Sequence, residues 1–251
     1  MTRNASGRRK ADTKPADEAP PRARPAMAGS NTRKTSMPER RARILNVATR
    51  RFAESGFAAT TVRQIADDVD ILSGSLFHHF TTKEQMLHEI LREPVLQMRD
   101  NAIRIARSPL DAEHRLVALI LLDLGELTRN REVHAILYNE RKLFRRGEEF
   151  AYVVQAKKEA YLAWKSVLQD GMKSRLFKAD LDGYLAISTI LRMLNMSADR
   201  YKNEEDVVGS YTLEQFTDFH LEFILSAVRA PARTSEPIPR KACEDLAKFL
   251  S

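Results

Sequence analysis

Apolar residues recur at helical spacing through most of this chain, and this periodicity restricts its fold more than any other feature. Between residues 37 and 55, Ile44, Val47, Ala48 and Phe52 fall on one face of a helix that ends at Gly56. The chain has only nine glycines and no run of alternating β-branched residues of the kind that forms strands. The sequence therefore predicts an all-α protein.

Capping-box patterns divide the next part of the chain into short helices. Thr61 is followed three residues later by Gln64, which predicts a helix over 62–69, and a turn at 70–71 leads to a third helix over 72–79. Two short helices joined by a tight turn have the geometry of a helix-turn-helix, in which the second helix enters the major groove of DNA. This segment predicts a three-helix DNA-binding head.

A larger helical domain follows the head. Thr82 and Gln85 repeat the capping box and open a long helix that Pro94 should kink. Beyond Pro109 the periodicity predicts helices at about 111–129, 131–144, 147–176, 181–200 and 212–229. Gly147 lies near the start of the third of these and Gly171 near its end, although neither forms a firm cap. The predicted organisation is a basic tail at 1–36, a helix-turn-helix domain at 37–82, a ligand-binding and dimerisation domain at 83–230 and a C-terminal tail at 231–251.

The excess positive charge lies mainly at the N-terminus. Of the formal net charge of +7, residues 1–36 contribute nine basic and three acidic residues, among prolines, alanines and serines with almost no large apolar residue. Such a composition predicts disorder, because it buries too little surface to offset the entropy of ordering. The tail either tracks DNA phosphates or the minor groove, or is a solubilising extension.

Several classes of protein and site are disfavoured. No apolar run is long enough to span a membrane or to form a signal sequence, so a cytoplasmic protein without a membrane partner is expected. The single cysteine, Cys243, cannot form an intramolecular disulfide or a cysteine-built metal site. His78 and His79 point about 100° apart on a helix and lack a third ligand. We therefore expect no metal, no cofactor and, without a nucleophile–base pair or a phosphate loop, no enzyme.

The exposed positions of the helix-turn-helix are candidate DNA contacts. Thr61 at a helix start and Lys83 at the start of the long helix suit phosphates, although Thr61 can be merely a cap and Lys83 merely a solvated residue. Gly74 suits a close approach of the backbone to DNA, and Leu72 can meet a thymine methyl group. The full set of candidate DNA-binding residues is Thr61, Arg63, Leu72, Ser73, Gly74, Ser75, Phe77, His78 and Lys83.

Two runs of sequence in the head resemble a known family. The run FAESGFAATTVRQIA at 52–66 and the run ILSGSLFHHFTTKE at 71–84 closely resemble the N-terminal domain of the TetR family of repressors. The resemblance covers about residues 39–90 and implies a homodimer that binds double-stranded operator DNA of roughly palindromic sequence. It assigns the same DNA roles to the matching positions, with tyrosine usual where this chain has Phe77. The second run also looks like that of regulators of fatty-acid or steroid breakdown, whose effectors are acyl-CoA thioesters.

The apolar helices near the C-terminus are candidates for the effector site and the dimer interface. The segment 181–196 is apolar on nearly every face, and with 213–228 it predicts a four-helix interface between two copies of the chain, which the resemblance also implies. A polar stripe on this helix either faces solvent or places Arg192 against an anionic ligand, and it consists of Ser188, Arg192, Asn195 and Asp199. The candidate ligand-binding residues are Tyr152, Trp164, Ser188, Arg192, Asn195 and Met196, although the aromatic and methionine side chains are more often core.

The sequence thus predicts a transcriptional repressor that a small-molecule effector releases from its operator. The alternative is a DNA-binding architectural dimer without an effector, which would be favoured if no ligand both bound the protein and released DNA.

Overall fold

A computed structural model of the chain describes residues 36–200, 211–233, 235–241 and 243, with 196–200 described by their backbone alone. The described secondary structure is helical, apart from one isolated antiparallel bridge between Phe177 and Arg229. The all-α prediction is therefore confirmed. Apart from Ser36, the predicted N-terminal tail lies outside the described residues.

Ten α-helices occur within the described part of the chain. They are α1 (Met37–Ser55), α2 (Val62–Asp68), α3 (Ser73–Leu76), α4 (Lys83–Ala106), α5 (Ala112–Arg129), α6 (Arg131–Asn139), α7 (Arg141–Phe144), α8 (Ala151–Lys173), α9 (Gly183–Arg200) and α10 (Leu213–Val228). Short 3-10 turns cover Glu148–Phe150 and Pro231–Arg233. None of the helices among the described residues is long and apolar enough to cross a membrane.

Side-chain caps start several of these helices, as the sequence predicts. Thr61 accepts a hydrogen bond from the backbone N–H of Gln64, whose side chain accepts from the N–H of Thr61, so the first capping box is confirmed. Thr82 also accepts from the N–H of Gln85, at 3.0 Å. The side chain of Gln85 reaches instead to the N–H and hydroxyl of Thr81, so the second box is displaced by one residue.

Two elements differ from the predicted ones, whereas the long helix predicted after Thr82 is present. The segment expected at 72–79 has only four residues of α-helix, because Leu72 is its N-cap and the chain continues as turns to Phe80. The segment expected at 131–144 is divided at Glu140 into α6 and α7. The helix α4 runs from Lys83 to Ala106 with Pro94 inside it.

The buried apolar side chains form two clusters that share the helices α4 and α8. The first joins α1, α2 and α3 to the N-terminal half of α4, to α6 and α7, and to the start of α8. The second joins the C-terminal half of α4 to α5, α8, α9 and α10. The core of the head thus continues across the predicted domain boundary at residue 82 into helices of the larger domain.

Some described residues of the predicted C-terminal tail contact the helices before it. Arg229 and Glu113 form a buried ion pair at 2.7 Å, and the Arg229 guanidinium also donates to the carbonyls of Glu236 and Pro237. Cys243 is fully buried and its Sγ lies 3.2 Å from the carbonyl oxygen of His114. The buried guanidinium needs acceptors for its several N–H groups, and the carbonyls of Glu236 and Pro237 are two of them. These contacts therefore hold the described residues after 231 against α5. The described residues after 231 are mostly exposed or half-buried and are anchored at these contacts; they are called the strap below.

Candidate DNA-binding head and effector pocket

The turn between α2 and α3 is closed by its own backbone. Asp70 adopts the left-handed conformation with φ of 56°. The N–H of Ile71 donates to the carbonyl of Ala66 at 3.0 Å and the N–H of Asp70 to that of Asp67 at 3.2 Å, which together form a Schellman motif. Aspartate tolerates this conformation better than most residues other than glycine. The predicted turn at 70–71 is confirmed and fixes the direction of α3.

The α3 segment exposes apolar side chains at its tip. Leu72 is 80% exposed and Phe77 is 52% exposed, whereas Leu76 between them is fully buried. A Cβ added at Gly74 would meet no atom within 4 Å, so the protein itself does not require a glycine there. Ser73 and Ser75 are half-buried and His78 is exposed. An exposed leucine and phenylalanine on either side of a glycine form a surface that another molecule can approach closely.

The head is held together by two arginine–carboxylate pairs that sequence reasoning missed. Arg51 on α1 binds Asp68 on α2 through two hydrogen bonds of 2.6 and 2.7 Å, and this contact lowers the pKa of Asp68. Arg41 on α1 pairs with Glu89 on α4, which lowers the pKa of Glu89, and lies 4.3 Å from the centre of the Phe80 ring. Neither pair has the three- or four-residue spacing by which helical partners are recognised in a sequence.

The candidate phosphate-binding residues already make contacts within the protein. The Thr61 hydroxyl caps α2, and Arg63 is exposed with its Nε 3.8 Å from Asp67. Lys83 Nζ donates to the carbonyls of Phe57 at 2.5 Å and Thr60 at 2.8 Å, and lies 4.3 Å from the centre of the Phe57 ring. Since an ammonium group has three donors, Lys83 retains one N–H beyond these two bonds.

The candidate ligand-binding residues do not converge on one site. Trp164 is 2% exposed within the second cluster, whereas Tyr152 packs against the first and donates to the carbonyl of His88 at 3.3 Å. Ser188 is half-buried and Arg192 is exposed on α9. The side chain of Met196 lies outside the described residues. Of the six, Asn195 lines a pocket.

That pocket lies between α5, α6 and α9 and is small, with a cavity volume of about 40 Å³. Its lining residues are Leu127, Arg131, His134, Ala135, Tyr138, Asn139 and Asn195. Five of these seven belong to α6, so one helix supplies most of the wall. The positive charge at this pocket comes from Arg131, and Arg192 is not among its lining residues.

Ionisable groups near α6 have shifted pKa values. Burial lowers the pKa of His134 to about 4, so its imidazole is neutral at pH 7. Burial lowers the pKa of Lys157, whose Nζ donates to the carbonyl of Leu137 at 3.0 Å, to about 8. Burial and the nearby Glu126 raise the pKa of Asp123 to about 7. Sequence reasoning missed these residues, although acidic side chains on the apolar α5 were a visible signal.

Comparison with known proteins identifies both parts of this architecture. Residues 44–90 match the family model described as "Bacterial regulatory proteins, tetR family", and residues 109–228 match the one described as "Tetracyclin repressor-like, C-terminal domain". The chain is 35% identical over 192 residues to the HTH-type transcriptional repressor KstR2 of Rhodococcus jostii, an alignment that covers 76% of this chain and 92% of that protein.

Solved structures agree with these matches. The ketosteroid transcriptional regulator KstR2 of Mycobacterium tuberculosis superposes with a TM-score of 0.70 at 30% identity, over 78% of this chain and 97% of that one. AibR, solved with isovaleryl coenzyme A and operator DNA, shares the fold with a TM-score of 0.62 at 23% identity, over 74% and 97% of the two chains. The chain belongs to the TetR family of bacterial transcriptional regulators.

Proposed function

We propose that the chain is a homodimeric repressor that binds a roughly palindromic operator through α3 and leaves it when an acyl-CoA thioester occupies the larger domain. The observation that carries the DNA-binding part is the exposed tip of α3, where Leu72 and Phe77 extend from the head on either side of Gly74. In the free protein these two side chains are exposed to water. Contact with DNA would bury their apolar surface, which favours binding. Membership of the TetR family and the similarity to KstR2 repressors support the same function.

The candidate residues divide into two roles. Ser73, Ser75 and Leu72 lie where they can contact base edges, and Gly74 allows the backbone to approach. The remaining candidates position the head on phosphates without reading sequence, and they are Thr61, Arg63, Phe77, His78 and Lys83. Phe77 lacks the hydroxyl group that a tyrosine would offer a phosphate, so its role is apolar contact with the sugar–phosphate backbone.

Selection of bound sequences from a random duplex library tests these roles. Ser75→Ala should relax the preference at one position of each half-site, whereas Lys83→Met should weaken binding to all sequences alike and reduce the slope of log affinity against log salt by about one. Ser174→Ala, an exposed serine on the far end of α8, is the matched control. If Lys83→Met changed the selected sequence, its bonds to the carbonyls of Phe57 and Thr60 would position the recognition segment, and a phosphate contact would not be its main role. A folded protein that bound no duplex at low ionic strength would contradict the DNA-binding proposal.

The pocket beside α6 supports the effector part of the proposal. Arg131 supplies positive charge to one side of it, and Leu127 and Ala135 supply apolar wall, a combination that suits an acyl group attached to an anionic carrier. The neutral His134 and the amide of Asn195 can hydrogen-bond a carbonyl of the ligand. The structural relative AibR was solved in complex with isovaleryl coenzyme A, and the relative KstR2 of Mycobacterium tuberculosis is a ketosteroid transcriptional regulator. An acyl-CoA with a keto-bearing ring acid as its acyl group combines these features, and because the cavity is small in this conformation, such a ligand must widen it on binding.

Titration of the protein–operator complex with defined thioesters tests the effector. The probes are isovaleryl-CoA and the CoA thioester of a ketosteroid acid, with free CoA and the free acids as controls. An effector must bind the DNA-free arrangement more tightly than the DNA-bound one, so a true effector should lower operator affinity at least about tenfold. Asn195→Ala should weaken thioester binding without changing operator affinity. Failure of every thioester to release DNA would instead favour an architectural dimer.

A further inference from the structure

The wall of the pocket ends at a residue that contacts the DNA-binding head. Helix α6 lines the pocket from Arg131 to Asn139, and the next residue along the chain is Glu140. The backbone of Glu140 is fixed on both sides, because its N–H donates to the carbonyl of Ile136 and its carbonyl accepts from the N–H of Leu143 and of Phe144. A movement of α6 therefore moves Glu140.

The Glu140 carboxylate holds the loop between α1 and α2. Its Oε1 accepts a hydrogen bond of 2.8 Å from the backbone N–H of Phe57, which is 83 residues away in the sequence. Gly56, just before Phe57, has φ of +83° and ψ of 154°, a conformation that is essentially restricted to glycine. A Cβ at Gly56 would lie 3.4 Å from the same carboxylate oxygen. The glycine is thus required by the backbone conformation of the loop, since an added Cβ would only touch the carboxylate.

The same loop is tied to the helices of the head. Lys83 holds the carbonyls of Phe57 and Thr60 from the start of α4, and the Thr60 hydroxyl donates to the carbonyl of Gly56 at 2.9 Å. Thr61, the next residue, is the N-cap of α2. The loop is therefore a short, hydrogen-bonded segment. Because it has little freedom to change conformation, a displacement of Phe57 also displaces the start of α2.

We propose that Glu140 is a positioning residue through which the state of the α6 pocket controls the head, an inference that rests on the effector function proposed above. An occupant of the pocket presses on Ala135 and Tyr138 and shifts α6. Glu140 then either carries the loop with it or releases the Phe57 N–H, and in both cases α2 and the recognition segment behind it change position. The apolar contacts between α1 and α6 are non-directional, whereas this hydrogen bond has a defined direction and length.

A double-mutant cycle tests the coupling without knowledge of the effector. Ala135→Leu fills the pocket from its wall and stands in for a ligand; Ala135→Val is the milder alternative if the leucine variant fails to fold. Operator affinity is measured for each wall variant in the native, Glu140→Ala and Glu140→Gln backgrounds, on a duplex selected from a random library. Glu148→Ala, an exposed acidic residue eight positions further on, is the matched control background.

We expect the wall variant to lower operator affinity at least about fivefold in the native, Glu140→Gln and Glu148→Ala backgrounds, and less than about twofold with Glu140→Ala. Glutamine retains an oxygen that accepts from Phe57, so it should preserve the coupling. Equal effects of the wall variant in all backgrounds, or no effect in any, would overturn the proposal. Failure of the proposed function is recognised separately, as absence of operator binding or of release by thioesters.

Amide hydrogen exchange supplies a readout that needs neither DNA nor effector. Glu140→Ala should accelerate exchange at Phe57 several-fold and raise exchange through the start of α2, because the N–H loses its acceptor. Glu140→Gln should remain close to the native protein. Unchanged protection of Phe57 in the alanine variant would contradict the role of the carboxylate.

Discussion

Asp123 is a single residue whose protonation should affect the stability of the protein. Its pKa is raised from an ordinary 3.8 to about 7, so the folded protein holds this proton more tightly than the unfolded chain does. The contribution to stability is fully present below about pH 4 and is lost as the pH rises to about 7. Asp123→Asn removes the titrating carboxyl group and therefore the loss of stability between pH 4 and pH 7. The melting temperature of the variant relative to the native protein should therefore rise between pH 4 and pH 7 and level off above it.

His134 contributes the opposite dependence over part of this range. Its pKa is lowered from 6.5 to about 4, so the unfolded chain binds the extra proton and stability falls as the pH drops from 6.5 towards 4. The native protein combines both effects, which is why the prediction concerns the difference between variant and native protein. Asp180→Asn, an exposed aspartate, is the control and should show a flat difference. A flat difference for Asp123→Asn would indicate that its carboxyl is solvated.

At the scale of single residues, the sequence predicted local contacts better than distant ones. The capping box of Thr61 was predictable because both partners lie within four residues, and the exposure of Leu72 follows from its place before a short helix. The bonds from Lys83 to Phe57 and from Glu140 to Phe57 span 26 and 83 residues. No spacing rule connects residues so far apart, so a reading of the sequence left Lys83 as an exposed cation and missed Glu140.

At the scale of helices, Gly171 shows that packing can require a glycine where the sequence only suggested that a helix end was near. It lies inside α8, and an added Cβ would be 1.9 Å from the ring of Phe177, which is 1% exposed. Gly171→Ala should therefore destabilise the protein by about 3 kcal/mol or more, since overpacking outweighs the better helix propensity of alanine. Gly183→Ala is the control, because a Cβ there meets no atom within 4 Å, and should be neutral or stabilise by up to about 1 kcal/mol. Denaturant unfolding measures both, and equal midpoints would contradict the clash.

The helices themselves were predictable to the extent that each has its own amphipathic pattern. The long helices α4, α5, α8, α9 and α10 were expected within a few residues of their observed ends, because several turns of periodicity define each one. The division between α6 and α7 was not expected, because residues 131–144 contain no glycine or proline to mark a helix end. The strap after Arg229 was missed for a related reason, since its proline-rich sequence has no periodicity and its anchor, Glu113, lies on another helix.

At the scale of the whole molecule, one surface remains apolar after the chain has folded. Four aromatic and leucine side chains on α9 and α10 are exposed, and they are Tyr184, Leu185, Phe219 and Phe223. Between these helices runs a groove lined by residues such as Leu185, Met193 and Phe223. An exposed apolar patch of this kind is typical of a surface that contacts another protein, and homodimers are typical of the TetR family. The predicted four-helix interface uses these two helices from each copy.

Two phenylalanines of nearly equal exposure separate dimerisation from DNA binding. Phe223 on α10 is 54% exposed and Phe77 at the tip of the head is 52% exposed. Phe223→Glu places two like charges, one from each copy, in a four-helix interface only if both copies meet there. The variant should therefore be a monomer in native mass spectrometry. It should also lower operator affinity by about a hundredfold or more, because a lone head loses the effective concentration that the second head provides.

Phe77→Glu should leave the dimer intact and weaken DNA binding by charge repulsion. A dimeric Phe223→Glu protein would place the interface on another surface, and a monomeric one that bound the operator at full strength would mean that the two heads do not act together.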